Sequence, residues 1–287
     1  MGYRRVAAGN RLYGDRIRQF DDARYGGGTA ENFRLRAEHA DISLVGDRDD
    51  NQDRVAVAMG EHAALLVVVD GMGGHSDGSR AAETALKSLL DSFWQASQPL
   101  FDPLGWLHMS LSKAHDDVVR MGAALSVDSR PRATIAICLV QDGAAYWAHV
   151  GDSRVYHIRN GRPLERTRDH SHVELLLRDG KIAEDEMQAH PMRNFVECCL
   201  GGDPGIPEMT ISRRRVLKSG DVLLLCTDGI WANLKDNDIA SFCAGNESED
   251  KPADIRAALE ALGRRAVLAS APYSDNSTAA CMRWLGP

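Results

Sequence analysis

The feature that most constrains the fold is a run of branched apolar residues that stops at an Asp-Gly pair. Residues 65–69 read Leu-Leu-Val-Val-Val, and Asp70, Gly71 and a glycine-rich turn follow. Such a run predicts a strand buried on both faces. Glycine after it permits positive φ and close approach of a ligand to the main chain. The pattern predicts a rigid strand that presents a carboxylate and a bare carbonyl to a small ligand, although Asp-Gly is also an ordinary turn pair.

The same arrangement occurs a second time, far along the chain. Residues 222–226 form another apolar run, and Asp228-Gly229 follows it closely. If the two strands are adjacent, two carboxylates lie a few ångströms apart, where like charges resist ionising together unless a cation lies between them. Oxygen ligands of this kind suit Mg²⁺ or Mn²⁺ rather than zinc. The repetition therefore predicts a divalent-metal site.

Composition excludes several classes of function. Arg and Lys number 34 against 41 Asp and Glu, so the net charge of −7 gives no global basic footprint for nucleic acid. The longest apolar run, 63–69, is too short to span a bilayer, and the N-terminus has no hydrophobic signal segment, so we expect no membrane contact. Six cysteines without CxxC spacing predict a reducing, cytoplasmic location without disulfides or structural zinc.

The chain divides into an arm and one domain. Residues 1–36 alternate arginines with glycines and predict a flexible basic arm, either a solvated tail or a contact for acidic surfaces. Ordered structure is expected over 37–287, with an insertion at about 172–207 over one sheet edge. Strand-like runs come in two blocks, each followed by helical patterns, which predicts two packed sheets flanked by helices. The helical patterns cover 79–95, 106–120, 236–242 and 252–268.

The loop over residues 46–53 is unusually polar for a connection between two strands. It reads Gly-Asp-Arg-Asp-Asp-Asn-Gln-Asp, with a single arginine, Arg48, among the acids. The arginine could form a surface ion pair, or it could hold an anion beside metal ligands. The sequence leaves both interpretations open.

Seven motifs, taken in order, resemble those of one family, the metal-dependent protein phosphatases. These are the type 2C serine/threonine phosphatases, and the second motif is similar to that of the bacterial branch. The resemblance covers about residues 37–285. The motifs are Arg48-x-x-Asn51-x-Asp53, DGMGGH at 70–75, VGDSRVY at 150–156, DHS at 169–171, HPMRN at 190–194, TDG at 227–229 and DN at 275–276.

The resemblance implies an α+β fold, a four-layer α-β-β-α sandwich of two mainly antiparallel sheets, with the catalytic domain over 37–287 and a flap at 172–207. It implies two Mn²⁺ or Mg²⁺ ions at one end of the sandwich and a third, loosely held ion. The residues implied by this likeness are Asp70 as the bridging ligand, the Gly71 carbonyl, Asp228 and Asp275 as direct ligands, Asp53 as holder of metal-bound water, Asp152 with Asp228 for the third metal, and Arg48 for the substrate phosphate.

The implied reaction is hydrolysis of phosphoserine and phosphothreonine on proteins by a metal-bridged hydroxide, with Arg48 and Asp53 as catalytic residues. Two divalent ions can lower the pKa of a bridging water and neutralise the phosphoryl oxygens. Phosphorylated proteins and an opposing serine/threonine kinase are the implied partners of a monomeric enzyme. The alternative is a weak or dead relative that binds phosphoproteins. A third reading, a nucleotide loop at 73–79, lacks the lysine of a P-loop.

Two departures from the family pattern bear on activity. Gln52 stands where the family usually has Glu, which favours weaker metal affinity and is the one hint of a binding module. Met72 stands where several eukaryotic members have a histidine general acid, so water or another group, with His75 as one candidate, must protonate the leaving group. His149 is expected to be a packed core residue, and His170 is expected to hold its loop in place.

Overall fold

The computed structural model describes residues 35–73, 76–243 and 254–286. Within these ranges the strands are β1 (Arg36–Leu44), β2 (Asp53–Met59), β3 (Ala63–Met72), β4 (Arg132–Gln141), β5 (Ala144–Val150), β6 (Arg154–Arg159), β7 (Arg162–Arg166), β8 (Leu200–Gly201), β9 (Thr210–Ile211), β10 (Arg215–Val216), β11 (Val222–Cys226) and β12 (Ser277–Gly286). The helices are α1 (Ser76–Gln95), α2 (Pro103–Met121), α3 (His172–Arg178), α4 (Asp228–Trp231), α5 (Asp236–Ala240) and α6 (Ile255–Ser270). Short 3₁₀ turns cover Val127–Ser129, Glu184–Ala189 and Ser241–Cys243.

Two antiparallel sheets pack face to face. One has the order β1-β12-β11-β6-β7 and the other β10-β5-β4-β3-β2, with β8 beside β4 and β9 beside β5. Helices α1 and α2 pack on the outer face of the second sheet, and α4, α5 and α6 pack on that of the first. The predicted α+β, helix-flanked sandwich is confirmed. The two sheets do not correspond to the two blocks of strands in the sequence, because β1 pairs with β12 along its whole length.

Alternation along β3 explains how the sandwich is filled. Leu65, Val67 and Val69 pack against α1 and α2, whereas Leu66 and Val68 pack between the sheets. All five side chains are fully buried, which is why the strand reads as a continuous apolar run rather than an alternating one. The same period of two carries residue 70 onto the face between the sheets.

The two Asp-Gly strands lie in different sheets rather than side by side in one. β3 lies in one sheet and β11 in the other, and the two contact each other across the middle layer. In β11, Leu223 and Leu225 face this layer, while Leu224 and Cys226 face the helices. The carboxylates that follow these strands therefore approach each other from opposite sheets, at one end of the sandwich.

Most predicted elements are present, and their ends shift by a few residues. Helix α3 begins after Ser171, whose hydroxyl accepts the backbone N–H of Glu174, as its position before the helix predicts. The short strands β7, β9 and β10 were not predicted, because they are edge strands of two to five residues with mixed polarity. All six cysteines are free thiols. Over the part of the chain that the structure describes, no helix is long and apolar enough to cross a membrane. The predicted arm lies almost wholly outside the described residues, although β1 already includes Arg36.

Candidate metal centre

Two of the predicted acids lie directly opposite each other on paired strands. Asp53 begins β2, and its register partner on β3 is Asp70. Opposite residues of an antiparallel pair present their side chains on the same face, so both carboxylates face the layer between the sheets. Thr227, just after β11 in the other sheet, donates its hydroxyl to Asp53 Oδ2 at 2.8 Å. The site therefore joins both sheets at one end of the sandwich.

Two further acids enter from turns at the same end. Asp228 begins α4 directly after Thr227. Asp152 lies in the turn between β5 and β6, after Gly151, whose φ is +97°. A side chain at Gly151 would lie 2.5 Å from Cβ of Thr134, so only glycine fits there. Asp152 is buried, and its Oδ1 atom has no hydrogen-bond partner among the described residues. A buried carboxylate oxygen without a donor is a position where a cation fits.

Electrostatics distinguish this cluster from ordinary surface acids. Burial raises the pKa of Asp53 to about 7 and that of Asp228 to about 6, and nearby carboxylates add to each shift. Burial raises the pKa values of Asp70 and Asp152 well above the usual range, with Asp53 acting on Asp70 and Asp228 on both. Four acids that penalise each other's ionisation are the donor set that a hard divalent cation would neutralise.

The remaining predicted acid, Asp275, is paired with Arg48. Arg48 donates Nε to Asp275 Oδ1 at 3.0 Å and an Nη atom to Oδ2 at 2.8 Å, a bidentate pair. Its side chain is 59% exposed and that of Asp275 is 41% exposed, which makes this a solvent-accessible pair. In the described ranges, no three His, Cys, Asp or Glu side chains already surround one point as metal ligands. Asp275 would have to turn away from Arg48 to complete such a set.

Residues next to the predicted ligands hold the polar loop in place. Asn276 donates its amide to the carbonyls of Val45 and Asp50, and its Oδ1 accepts the N–H of Gln52 at 2.8 Å. Asp47 accepts the backbone N–H and the hydroxyl of Ser274. The start of β12 thereby fixes the loop that carries Arg48. No role was predicted for Asn276 or Thr227, although both lie within the family motifs of the sequence.

Gly71 and Gln52 meet at the start of α1. A Cβ atom on Gly71 would lie 2.0 Å from the carbonyl oxygen of Gly78, so no larger residue fits. The Gly71 N–H donates to the Gln52 carbonyl at 3.3 Å. Gln52 Oε1 would lie 2.3 Å from a Cβ atom on Gly78, which puts the Gln52 amide against the helix start. The role of the Gly71 carbonyl as a ligand stays a prediction. His75 lies outside the described residues.

Comparison with known proteins assigns the family. The family model "Protein phosphatase 2C" matches residues 45–262. The chain belongs to the type 2C protein phosphatases. Protein phosphatase PhpP of Streptococcus pneumoniae is 30% identical over 207 residues, which are 69% of this chain and 82% of that protein. The crystal structure of the serine/threonine phosphatase PstP/Ppp of Mycobacterium tuberculosis has a TM-score of 0.72 and 26% identity, over 87% of this chain and 99% of that one.

A second solved structure has a manganese-containing site. It is the catalytic domain of PstP in complex with 2 manganese ions, with a TM-score of 0.71 and 24% identity over 87% of this chain and 99% of that one. At this identity the likeness shows the fold alone.

The family match and the relatives at higher identity make the chain a protein serine/threonine phosphatase.

A buried arginine supports two of the acid-bearing turns of the phosphatase. Arg154 forms a bidentate pair with Asp169, with distances of 2.9 and 2.7 Å. Its guanidinium carbon lies 3.6 Å from the centroid of the Trp231 ring, at the end of the short helix that begins at Asp228. The Arg154 side chain thus joins the Asp169 loop to the short helix that begins at Asp228, and Arg154 itself follows Asp152 by two residues. The sequence signal was the arginine of the VGDSRVY motif, to which no role had been assigned.

Proposed function

We propose that this chain hydrolyses phosphoserine and phosphothreonine on proteins in a reaction that requires divalent metal ions. The observation that carries the proposal is the convergence of Asp53, Asp70, Asp152 and Asp228 from both sheets, with their pKa values raised by burial and by one another. An arginine capable of bidentate phosphate binding, Arg48, lies beside them. A protein substrate implies an opposing serine/threonine kinase.

The donor set fits Mn²⁺ or Mg²⁺, because it consists of oxygens and includes an unpartnered, buried Oδ1 on Asp152. Asp70, the Gly71 carbonyl, Asp228 and Asp275 would hold two ions, and Asp152 with Asp228 would hold a third. When bound, the ions would lower the pKa of a water and neutralise charge on the phosphoryl oxygens. The PstP structure with two manganese ions supports a two-ion site in this fold.

The chain's own residues would orient the reactants. Arg48 would release Asp275 and turn its planar fork onto two phosphate oxygens, a geometry that lysine cannot reproduce. Asp53 would hold a water through a carboxylate oxygen, and the hydrogen bond from Thr227 fixes the orientation of that carboxylate. Met72 carries no proton to donate, so the alkoxide leaving group would take its proton from water.

A second candidate function is a phosphoprotein-binding module without turnover. The observation in its favour is Gln52, whose uncharged amide packs at the start of α1 where the family pattern has a carboxylate. A module of this kind would keep the arginine and the fold but would bind metal weakly. The two candidates therefore differ in metal stoichiometry as well as in turnover.

The test combines calorimetric Mn²⁺ titration with hydrolysis of p-nitrophenyl phosphate and of a phosphothreonine peptide. The enzyme is expected to bind at least two ions and to release phosphate, and Asp70→Asn to lose both properties while it remains folded. Binding of the phosphopeptide without two-ion binding or phosphate release would favour the module. Gln52→Glu sharpens the choice, because recovery of tight Mn²⁺ binding and turnover in that variant alone would identify Gln52 as the inactivating change.

A further inference from the structure

A bidentate ion pair joins the two sheets along one side of the sandwich. Arg215, in β10 of one sheet, donates to both carboxylate oxygens of Glu165, in β7 of the other, at 2.6 and 2.7 Å. The Arg215 guanidinium carbon also lies 5.6 Å from the centroid of the buried Trp147 ring. The hydrogen bonds from Arg215 lower the pKa of Glu165, so the charge of this carboxylate is already matched within the protein.

A bulge in the edge strand next to this pair carries two arginines. β9 and β10 both pair with β5, and four residue steps from Ile211 to Arg215 are set against three steps of β5. The extra residue is a β-bulge, a feature that redirects side chains at the edge of a sheet. Arg213 and Arg214 occupy the bulge, and both are exposed.

Two more exposed cations flank the same ion pair. Arg162 begins β7, three residues before Glu165, and Lys218 follows Arg215 by three residues. Arg162 lies directly opposite Arg159 in the pairing of β7 with β6, and Arg159 is bonded to the buried Asp221. The four exposed cations together are called the basic edge: Arg162, Arg213, Arg214 and Lys218.

The basic edge has no acidic partner within the described ranges. No Asp or Glu there forms an ion pair with any of its four side chains, because Glu165 is taken by Arg215 and Asp221 by Arg159. One exposed acid, Asp142, precedes the Gly143 whose carbonyl accepts the Leu217 N–H, so Lys218 has an acid in its neighbourhood. The arginines of the bulge are therefore the strongest part of a positive surface on a chain of net charge −7.

The basic edge runs towards the candidate metal centre. β5 leads from Ala145, the partner of Arg215, to Val150, and Asp152 follows two residues later. At about 3.3 Å per residue, the bulge lies roughly 20 Å from Asp152 along this edge. An extended peptide covers that distance in about six residues. A substrate held at the metal centre can therefore reach the basic edge with a neighbouring part of its own chain.

We propose that the basic edge binds an acidic segment of the phosphoprotein substrate, about six residues from the phosphorylated side chain. The proposal rests on the proposed function and adds to it a class of substrate, proteins with Asp or Glu clusters near the phosphosite. Two exposed aliphatic residues of the same edge, Leu164 and Val216, suit a peptide. Within the described chain this edge exposes no aromatic ring on which a nucleic acid base could stack.

The test compares two double variants of the full chain that remove the same charge from opposite edges. Arg213→Gln/Arg214→Gln neutralises the bulge. Arg36→Gln/Arg256→Gln is the matched control, because both of these arginines are also exposed and without an ion pair among the described residues. Arg36 lies in β1, the other outer strand of the first sheet, and Arg256 lies in α6, which packs on β1.

Kinetics are measured on three phosphothreonine peptides: one with a glutamate cluster about six residues before the phosphothreonine, one with the cluster about six residues after it, and one with glutamine in its place. Wild type is expected to show a KM about fivefold lower for one of the glutamate peptides, the effect of two solvent-exposed ion pairs, with kcat unchanged. Arg213→Gln/Arg214→Gln should lose this preference and keep the wild-type rate on p-nitrophenyl phosphate, which has no peptide. The control should keep the preference.

A second measurement does not depend on turnover. Isotope-labelled, metal-free protein is titrated with the unphosphorylated glutamate peptide, and backbone amide shifts are followed by NMR. Shifts at Arg162 and over residues 212–218 are expected in wild type and should vanish in Arg213→Gln/Arg214→Gln and at high salt. Shifts confined to other surfaces would overturn the proposal, as would a larger response of the same amides to single-stranded RNA.

The kinetic data can also overturn it. Equal KM values for all three peptides in wild type, or a preference that survives in Arg213→Gln/Arg214→Gln, would show that the basic edge does not select substrates. A preference lost equally in the control would mean that only net charge matters. If no protein releases phosphate, the proposed function is rejected, and the amide shifts alone decide whether the basic edge binds an acidic peptide.

Discussion

The two ends of strand β11 carry aspartates with opposite environments. Asp221, just before the strand, is 1% exposed and accepts hydrogen bonds from Arg159 at 2.6 and 2.7 Å, from His157 at 2.9 Å and from the Lys218 N–H at 2.8 Å. Burial alone would raise the pKa of Asp221, but these partners outweigh it and lower the pKa. Asp228, just after the strand, has its pKa raised to about 6 by burial and by Asp275.

The contrast separates structural charge from functional charge. At the Asp221 end the chain supplies a cation and donors for a buried carboxylate, so the pair belongs to the fold. At the Asp228 end several acids share one region. The arginine that acts on Asp228, Arg48, is mostly exposed, and the buried Arg154 is already paired with Asp169. A carboxylate cluster that the protein leaves short of positive charge is costly to fold, which is the expected signature of a site completed by an external cation.

The largest expected effect is that of Asp70→Asn. Loss of the carboxylate that is proposed to hold both ions should lower phosphatase activity by more than about 10²-fold, in the range seen when a group that stabilises transition-state charge is removed. The same change should leave the metal-free protein as stable as wild type or more so, because it relieves repulsion from Asp53 and Asp228. Urea unfolding in EDTA and initial rates in Mn²⁺ measure the two quantities. If Asp70→Asn lowered the stability of the metal-free protein, the acidic cluster would not be the source of repulsion that the contrast with Asp221 implies.

Asp221→Asn should show the reverse pattern. The substitution leaves His157 and Arg159 without their carboxylate in a buried position, which should cost about 3 kcal/mol of unfolding free energy. Metal affinity and rate at saturating Mn²⁺ should stay within about twofold of wild type, since the site lies beyond the opposite end of the strand. Chemical denaturation and Mn²⁺ titration check both expectations.

The sequence predicts the carboxylate cluster around Asp228 better than the paired carboxylate Asp221 at the other end of β11. Asp70 and Asp228 follow uninterrupted apolar runs, so strand, turn and carboxylate can all be read locally. The sequence cannot show that β3 and β11 lie in different sheets, because the order of strands in a sheet depends on long-range pairing such as that of β1 with β12. The side-chain partners of Asp221, His157 and Arg159, lie more than 60 residues away in sequence, and no local pattern marks them. The supporting roles of Thr227, Asn276 and Arg154 were missed for the same reason.

The pH dependence of stability should differ with metal. In the metal-free protein the pKa values of Asp53 and Asp228 are raised to about 7 and about 6, so the folded state binds protons that the unfolded state releases. Stability should therefore rise as pH falls from 8 towards 5, by up to about 1.4 kcal/mol per pH unit for each proton taken up. At lower pH the lowered pKa of Asp221 acts in the opposite sense, and its contribution is lost.

Saturating Mn²⁺ should abolish the first of these trends, because a cation keeps the carboxylates ionised in the folded state. Thermal denaturation across pH, with and without Mn²⁺, measures the difference. A metal-free protein whose stability instead falls steadily from pH 8 to pH 5 would mean that the acidic cluster is not short of positive charge.

The smallest expected effect on stability compares the two arginine forks. Arg159→Gln removes a cation from a carboxylate that is 1% exposed and should lower the free energy of unfolding, whereas Arg48→Gln breaks a solvent-exposed pair and should leave it nearly unchanged. If Arg48 occupies Asp275 only in the absence of metal, Arg48→Gln should tighten Mn²⁺ binding, because it frees the Asp275 carboxylate. Arg48→Lys should tighten it too, because lysine keeps the charge but loses the bidentate geometry that holds Asp275. Calorimetric Mn²⁺ titration of wild type, Arg48→Gln and Arg48→Lys distinguishes the two explanations. If only the glutamine variant binds Mn²⁺ more tightly, then Arg48 weakens metal binding by its positive charge and not by occupying Asp275.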